Sequence, residues 1–257
     1  MLTVKNITYK VGNKVLLDDV SMDFEPGKLN LIIGPNGAGK STLIKIICRQ
    51  LVPVNGSVFY GAENVNAIHI SELAKIRSVL SQNIELAFPL SVREVVMMGR
   101  YPHFSGKPSQ KEETACEEAM RFFDVAEMAD RNYMTLSGGE KQRVHFARVI
   151  SQIWYPVDKG YRYLILDEPL TFLDVYYQFD FMQKVMSLLE KKDMVVIGVV
   201  HDLNLAARFA EKIVLLHHGK VLAEGDKHKV LTKENIKAAY KLEPVIQNDL
   251  DRLYLYF

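Results

Sequence analysis

The chain has 257 residues, 48% of them apolar, which is enough for a substantial core in one large domain or two joined lobes. Its 32 basic and 31 acidic residues leave a net charge of +1, a balance that gives no support to a nucleic-acid surface. No apolar run approaches bilayer length, MLTVKNITYK lacks a signal-peptide core, and Cys48 and Cys116 stand far apart in sequence, so the expectation is a cytosolic chain with reduced thiols that meets a membrane only through a partner.

Residues 2–25 alternate as short strands, LTVKNITYK and VLLDDVSMDF, turning at Gly12-Asn13. With GSVFYG at 56–61 they predict an antiparallel β layer around a central strand. Tyr9 falls at the end of the first strand and by position alone reads as an ordinary strand aromatic.

The central strand is LNLII, followed by GPNGAGKST and the helical run LIKIICRQL. Gly34, Gly39, Lys40 and Ser41 fit G-x-x-x-x-G-K-[ST], the pattern of a phosphate-binding loop. The chemistry explains the spacing. Glycines let the backbone of Gly34, Pro35, Asn36, Gly37, Ala38 and Gly39 curl and turn its N–H groups inward, toward the positive end of the following helix. Lys40 adds a full charge for β- and γ-phosphates, the Ser41 hydroxyl can hold Mg²⁺, and Thr42 continues into the helix.

ISELAKIRSVLSQ at 70–82 reads as a helix running into a strand that ends at Gln82. The next segment, NIELAFPLSVREVVMMGRYPHFSGKPS, is apolar but broken by prolines and glycines. Its Phe88, Met97, Met98 and Tyr101 are either core or a soft docking surface. Residues 109–131 form an amphipathic helical stretch with an acidic face. LSGGEKQRVHFARVI then places Ser137, Gly138 and Gly139 at the start of a periodic helix, a second anion site of the helix-N-terminus kind.

YRYLILDEP is an apolar β-run ending in two carboxylates. At the carboxyl end of a strand in an open parallel sheet, Asp167 and Glu168 lie beside the phosphate loop. Adjacent residues point differently, so Asp167 suits a Mg²⁺ shell and Glu168 suits positioning a water as a base. VVIGVV is another buried strand, with His201 just beyond its end. IVLLHHGKVLAEG reads as a hairpin through His218-Gly219, and a helix-rich tail follows from Asp226.

These motifs, in this order and over roughly residues 2–240, resemble the ATP-binding subunits of ABC transporters. GPNGAGKST resembles Walker A, LSGGE the family signature, and YLILDE Walker B with Glu168 as its catalytic carboxylate; Gln82 matches the Q-loop, Leu173-Asp174 the D-loop, His201 the switch histidine and Tyr9 the aromatic that stacks on adenine. One departure is Leu170 where the family usually has threonine after D-E-P; it lies beyond the catalytic carboxylate.

The resemblance implies an α/β fold of the P-loop NTPase, ABC ATPase type: a mixed, mostly parallel sheet core, an antiparallel β layer and a helical signature lobe. It implies one nucleotide-binding domain over 1–257, with core and β layer in 1–82 and 160–225, a helical lobe over about 83–155, and a helical tail over 226–257. It also implies ATP and Mg²⁺ (Ser41, Gln82, Asp167) and a homodimer sandwiching two ATP molecules. Further partners are a permease dimer gripped by residues 82–104 and, indirectly, a periplasmic or surface substrate-binding protein. The implied location is peripheral, on the cytoplasmic face of the inner membrane, with no nucleic-acid partner.

LAFPLSVREVVMMGRYPH is similar to the subfamily serving ferric siderophore, haem and cobalamin importers, and the Trp-containing insertion SQIWYPVDKGYRY resembles the haem importer ATPases. Siderophore or cobalamin import is the alternative. A soluble non-transport ABC ATPase fits less well, lacking a second nucleotide domain or long coiled coil.

Overall fold

A computed structural model of the chain describes residues 1–81, 86, 88–171, 173–249 and 252–257. The elements run β1 (Leu2–Val11), β2 (Lys14–Phe24), β3 (Leu29–Ile33), α1 (Lys40–Ile47), β4 (Asn55–Tyr60), β5 (Glu63–Asn64), α2 (Ile70–Ile76) and β6 (Arg77–Leu80). Next come α3 (Val92–Met97), α4 (Gln110–Phe122), α5 (Gly138–Gln152), β7 (Arg162–Asp167), α6 (Val175–Leu189), β8 (Met194–Val199), α7 (Leu203–Phe209), β9 (Lys212–His217) and β10 (Lys220–Gly225). The chain closes with α8 (Lys227–Val230), α9 (Lys233–Tyr240), β11 (Val245–Asp249) and β12 (Arg252–Tyr256).

The core sheet has six strands in the order β10-β9-β3-β8-β7-β6, parallel except for the β9–β10 hairpin. Its central strands are apolar without alternation because they are covered on both faces: every residue of β3 and β8 is buried. One face packs on the antiparallel sheet β2-β1-β4-β5 and on α1, with Ile32, Ile165, Ile197 and Val199 turned toward Leu2, Ile7, Leu17 and Phe24. The other meets the helices, where Phe123, Phe146 and Phe181 stack together. Leu31 and Ile33 point one way from β3 and Ile32 the other, so one strand serves both cores.

Helices α3, α4 and α5 each open with Ser-x-x-Glu in a reciprocal capping box, Ser91 with Glu94, Ser109 with Glu112 and Ser137 with Glu140. Arg100, on the turn after α3, is buried and donates to Ser151 O (2.6 Å) and Gln152 O (3.1 Å), the last carbonyls of α5. A cation there also complements the negative end of the helix. Gln152 in turn donates to Ala74 O (2.6 Å) and Arg77 O (2.9 Å), joining α5 to β6.

The segment expected to be core or docking surface is partly exposed and partly packed. Phe88 and Tyr101 are 71% and 59% exposed, whereas Met97 packs against the core. The Trp-containing insertion folds inward: Trp154 Nε1 donates to Glu118 (2.6 Å) and its ring meets Phe122 edge-on, and Tyr155 lies between Arg100 and Lys111.

The tail departs in part from the expected helical ending over 226–257. It is helical through α9, but β11 and β12 then pair antiparallel. Lys241 takes a left-handed conformation that ends α9, and Pro244 then bars resumption of a helix. Leu253 and Leu255 alternate into the core, and Asn204 of α7 exchanges two hydrogen bonds with the Leu255 backbone, at 3.1 and 2.8 Å.

Candidate functional site

Strands β3, β8 and β7 are neighbours in register, so their carboxyl ends bring residues 34–42, His201 and Asp167-Glu168 to one edge of the sheet. This is the edge at which open α/β sheets bind ligands.

The loop after β3 is shaped by glycines whose backbone conformation a side chain would strain. Gly34 has φ 149°, and a Cβ there would lie 2.2 Å from the Leu216 carbonyl oxygen. Gly39 has φ 104°, with a Cβ 2.7 Å from Leu17 Cδ2. The loop is pinned from outside: Gly219 N donates to Ala38 O (3.1 Å) and Asp18 N to Gly219 O (2.9 Å). Ala38 is buried, while Asn36 and Gly37 are exposed at the tip.

Lys40 is buried, and its ammonium folds back to donate to Gly34 O (2.7 Å) and Pro35 O (3.1 Å). Burial lowers its pKa, while Glu168 and Asp167 act in the opposite direction. Tyr9 is cross-strand from Leu17, the residue beneath Gly39, which puts it on the same side of the β layer as the loop.

Ser41 and Asp167 line one cavity of about 340 Å³ with Lys45, Gln50 and Ser81. Burial raises the Asp167 pKa, with the Glu168 charge adding to it, and its Oδ1 is buried without a hydrogen-bond partner. A hydroxyl and an unsatisfied carboxylate oxygen in one hollow make a donor set suited to a hard divalent cation such as Mg²⁺. Gln82 lies outside the described residues.

Glu168 holds φ 52°, strained for a residue with a Cβ. The backbone there is tied down: Thr171 Oγ1 donates to Glu168 O (3.0 Å), and Gln142 of α5 donates to Pro169 O (2.7 Å). The strained turn aims the carboxylate at His201, whose Nε2 is 2.7 Å from Glu168 Oε1. Both line a hollow of about 280 Å³ with Val200 and Gln178. A carboxylate fixed by an imidazole, beside an anion-binding loop, can orient a water and accept its proton.

Ser137 caps α5, with Glu140 N donating to its Oγ (3.3 Å) and Ser137 N donating to Glu140 (2.8 Å). Gly138 and Gly139 have open space where a Cβ would be. Among the described residues, no hydrogen bond or ion pair joins this segment to residues 34–42.

Sequence reasoning missed Tyr240, whose hydroxyl is buried facing the Gly34 backbone, with burial pushing its pKa to about 12. It also missed Gln142, whose position one turn into α5 is the only signal the sequence offers.

The ABC transporter family profile matches residues 17–171 of the chain. The chain belongs to the ABC transporter family. It is 39% identical over 249 residues to the hemin import ATP-binding protein HmuV of Escherichia coli O157:H7, covering 97% of this chain and 95% of that one. The corresponding protein of Gloeobacter violaceus is 40% identical over 246 residues, 96% of this chain and 89% of its own. Among solved structures, a dimeric bacterial ABC transporter cassette superposes with a TM-score of 0.75 at 30% identity, over 88% of this chain and 99% of that one. An ATP-binding cassette in its ADP conformation has a TM-score of 0.79 at 21% identity and shares the fold, covering 94% and 97%. The chain is a nucleotide-binding ATPase with the ABC cassette fold. Among the described residues no helix is long and apolar enough to cross a membrane.

Proposed function

We propose that this ATPase energises import of haem, working as a homodimer on the cytoplasmic face of a membrane permease. The observation that carries the ATPase chemistry is the Glu168–His201 contact of 2.7 Å at the strand ends beside the phosphate loop. The cargo reading draws support from relatives named as hemin import proteins at 36–40% identity over nearly the whole chain. The whole chain is taken as one nucleotide-binding domain, with α3 to α5 as its helical lobe.

Residues 34–42 wrap the phosphates, Lys40 exchanging its loop carbonyls for β- and γ-phosphate oxygens. Ser41 and Asp167, with Gln82, hold Mg²⁺, which supplies charge neutralisation at the phosphates. Tyr9 stacks on adenine. Glu168 takes the proton of the attacking water, and His201 holds Glu168 in place and contacts the γ-phosphate. Ser137, Gly138 and Gly139 of the second copy close over the same nucleotide. Among the described residues, Ser137, Gly138 and Gly139 make no hydrogen bond to residues 34–42 of their own chain, which is compatible with this head-to-tail arrangement. Phe88 and Tyr101 are exposed where a permease helix would dock. A periplasmic or surface substrate-binding protein delivers cargo to that permease and does not touch this chain.

Growth of a strain lacking the gene tests the cargo. With haem as sole iron source, wild type restores growth and Glu168→Gln does not. Normal growth of the deletion strain on haem, with failure on a ferric siderophore, would reassign the cargo and leave the ATPase intact.

A further inference from the structure

A second cavity, larger than the hollow under His201, lies where α6, α7 and the C-terminal hairpin meet. Its volume is about 570 Å³, within the range that holds drug-sized ligands. Phe179 of α6, Phe209 of α7, and Leu253 and Tyr254 of β12 supply an aromatic and aliphatic wall. Nothing in the ATPase chemistry uses this space.

Arg208 gives the cavity its chemical character. Its guanidinium lies 4.8 Å from the Phe179 centroid and 5.7 Å from that of Phe209, two rings that pack edge-on against each other. Among the described residues it donates no hydrogen bond and makes no ion pair. The other polar groups are committed elsewhere. Asp202 accepts from Asn204 N and Leu205 N, Gln178 donates to the Leu173 carbonyl, and Asn204 binds Leu255. Asp202 and Lys227 also line the cavity. What remains is the planar fork of N–H donors of Arg208, an exposed residue beside two aromatic rings at the rim of a chamber with one aromatic and aliphatic wall. That fork matches a carboxylate bidentately.

The cavity also adjoins the catalytic hollow. Gln178, Asp202 and Leu205 line both. Asp202 follows His201 directly and caps α7, and Asn204 ties α7 to the hairpin. A ligand bridging α6, α7 and β12 therefore fixes the segment that carries His201.

We propose that this cavity is an effector site for an amphipathic carboxylate with an aromatic or fused-ring body, whose occupancy changes ATP turnover. The proposal does not depend on the cargo.

Pyrenebutyrate, with its uncharged analogue pyrenebutanol, tests it on the full chain. Titration followed by pyrene fluorescence should give saturable binding. The carboxylate should bind roughly tenfold more tightly than the alcohol, the worth of one good charge-assisted pair. Arg208→Met should abolish that preference while keeping the melting temperature. Val175→Trp, at an exposed position lining the cavity, should weaken both probes. Saturating pyrenebutyrate should change phosphate release by wild type, and Arg208→Met should need about tenfold more of it for the same change. The proposal is overturned by absence of saturable binding, by equal affinity for the two probes, by a preference that survives Arg208→Met, by undiminished binding in Val175→Trp, or by binding without a change in turnover.

Discussion

Two glycines in the phosphate loop look alike in sequence and differ sharply in what surrounds them. Gly37 has φ 78° and nothing within 4 Å of a built Cβ, whereas at Gly34 the Cβ would lie 2.2 Å from the Leu216 carbonyl oxygen. Gly37→Ala therefore meets only left-handed backbone strain, about 1–2 kcal/mol, partly offset by about 0.4–1 kcal/mol from a less flexible unfolded chain. The net cost is about 1 kcal/mol. Gly34→Ala meets a backbone atom that cannot swing away. Relief requires β9 or the loop to shift, at a cost of about 1–3 kcal/mol for overpacking on top of the strain. The loop is also pinned through Ala38 O and Gly219 N, so a shift propagates to the anion site. Urea denaturation should show Gly34→Ala less stable than Gly37→Ala by about 1–3 kcal/mol, the overpacking cost, since left-handed strain is common to both. Fluorescent-nucleotide titration should show Gly34→Ala also losing affinity about tenfold or more, at about 1.4 kcal/mol per decade. Equal stability and equal affinity in the two variants would refute the steric reasoning.

Burial depresses the His145 pKa to about 3, so the folded chain takes up fewer protons than the unfolded one below the imidazole's usual value near 6.5. Its stabilising contribution is present above pH 6.5 and lost as pH falls toward 3; His145→Gln should flatten the pH dependence of the urea midpoint across that window by a few kcal/mol. Trp154→Phe keeps the Phe122 contact but loses the donor to Glu118, so it should cost about 1 kcal/mol in thermal denaturation. ATP turnover should stay unchanged. Asn204→Ala leaves the Leu255 N–H and carbonyl without their partner and should speed hydrogen exchange in residues 245–256, through a local loss of about 1–3 kcal/mol. Unaltered exchange there would remove Asn204 as the anchor of the hairpin.

The candidate site was legible because phosphate-binding chemistry dictates residue types at fixed spacing. Gly34, Gly39, Lys40 and Ser41 announce a phosphate loop, and apolar runs ending at Asp167 or shortly before His201 announce buried parallel strands. The hairpin at residues 245–256 was not legible. Its strands depend on Leu253 and Leu255 finding the helix layer and on Asn204, 51 residues away from Leu255, a tertiary dependence that local pattern does not carry. Trp154 shows a different limit: its presence in an insertion is visible, but its direction is not. Glu118 and Phe122 on α4 turn it inward, where it fastens the helices together. The strained φ of Glu168 is likewise set by the ties from Thr171 and Gln142, not by the residue itself.

The central claim is that Glu168, aimed by its strained backbone and held by His201, performs the base step of ATP hydrolysis. Phosphate release by Glu168→Gln, measured alongside ATP binding and the ATP-dependent monomer–dimer equilibrium, tests it most directly. Turnover should fall by about 10²–10⁴, the usual worth of a positioned general base. ATP should still bind, and Mg²⁺-ATP should hold the variant as a dimer. Turnover near the wild-type rate in that variant would contradict the account.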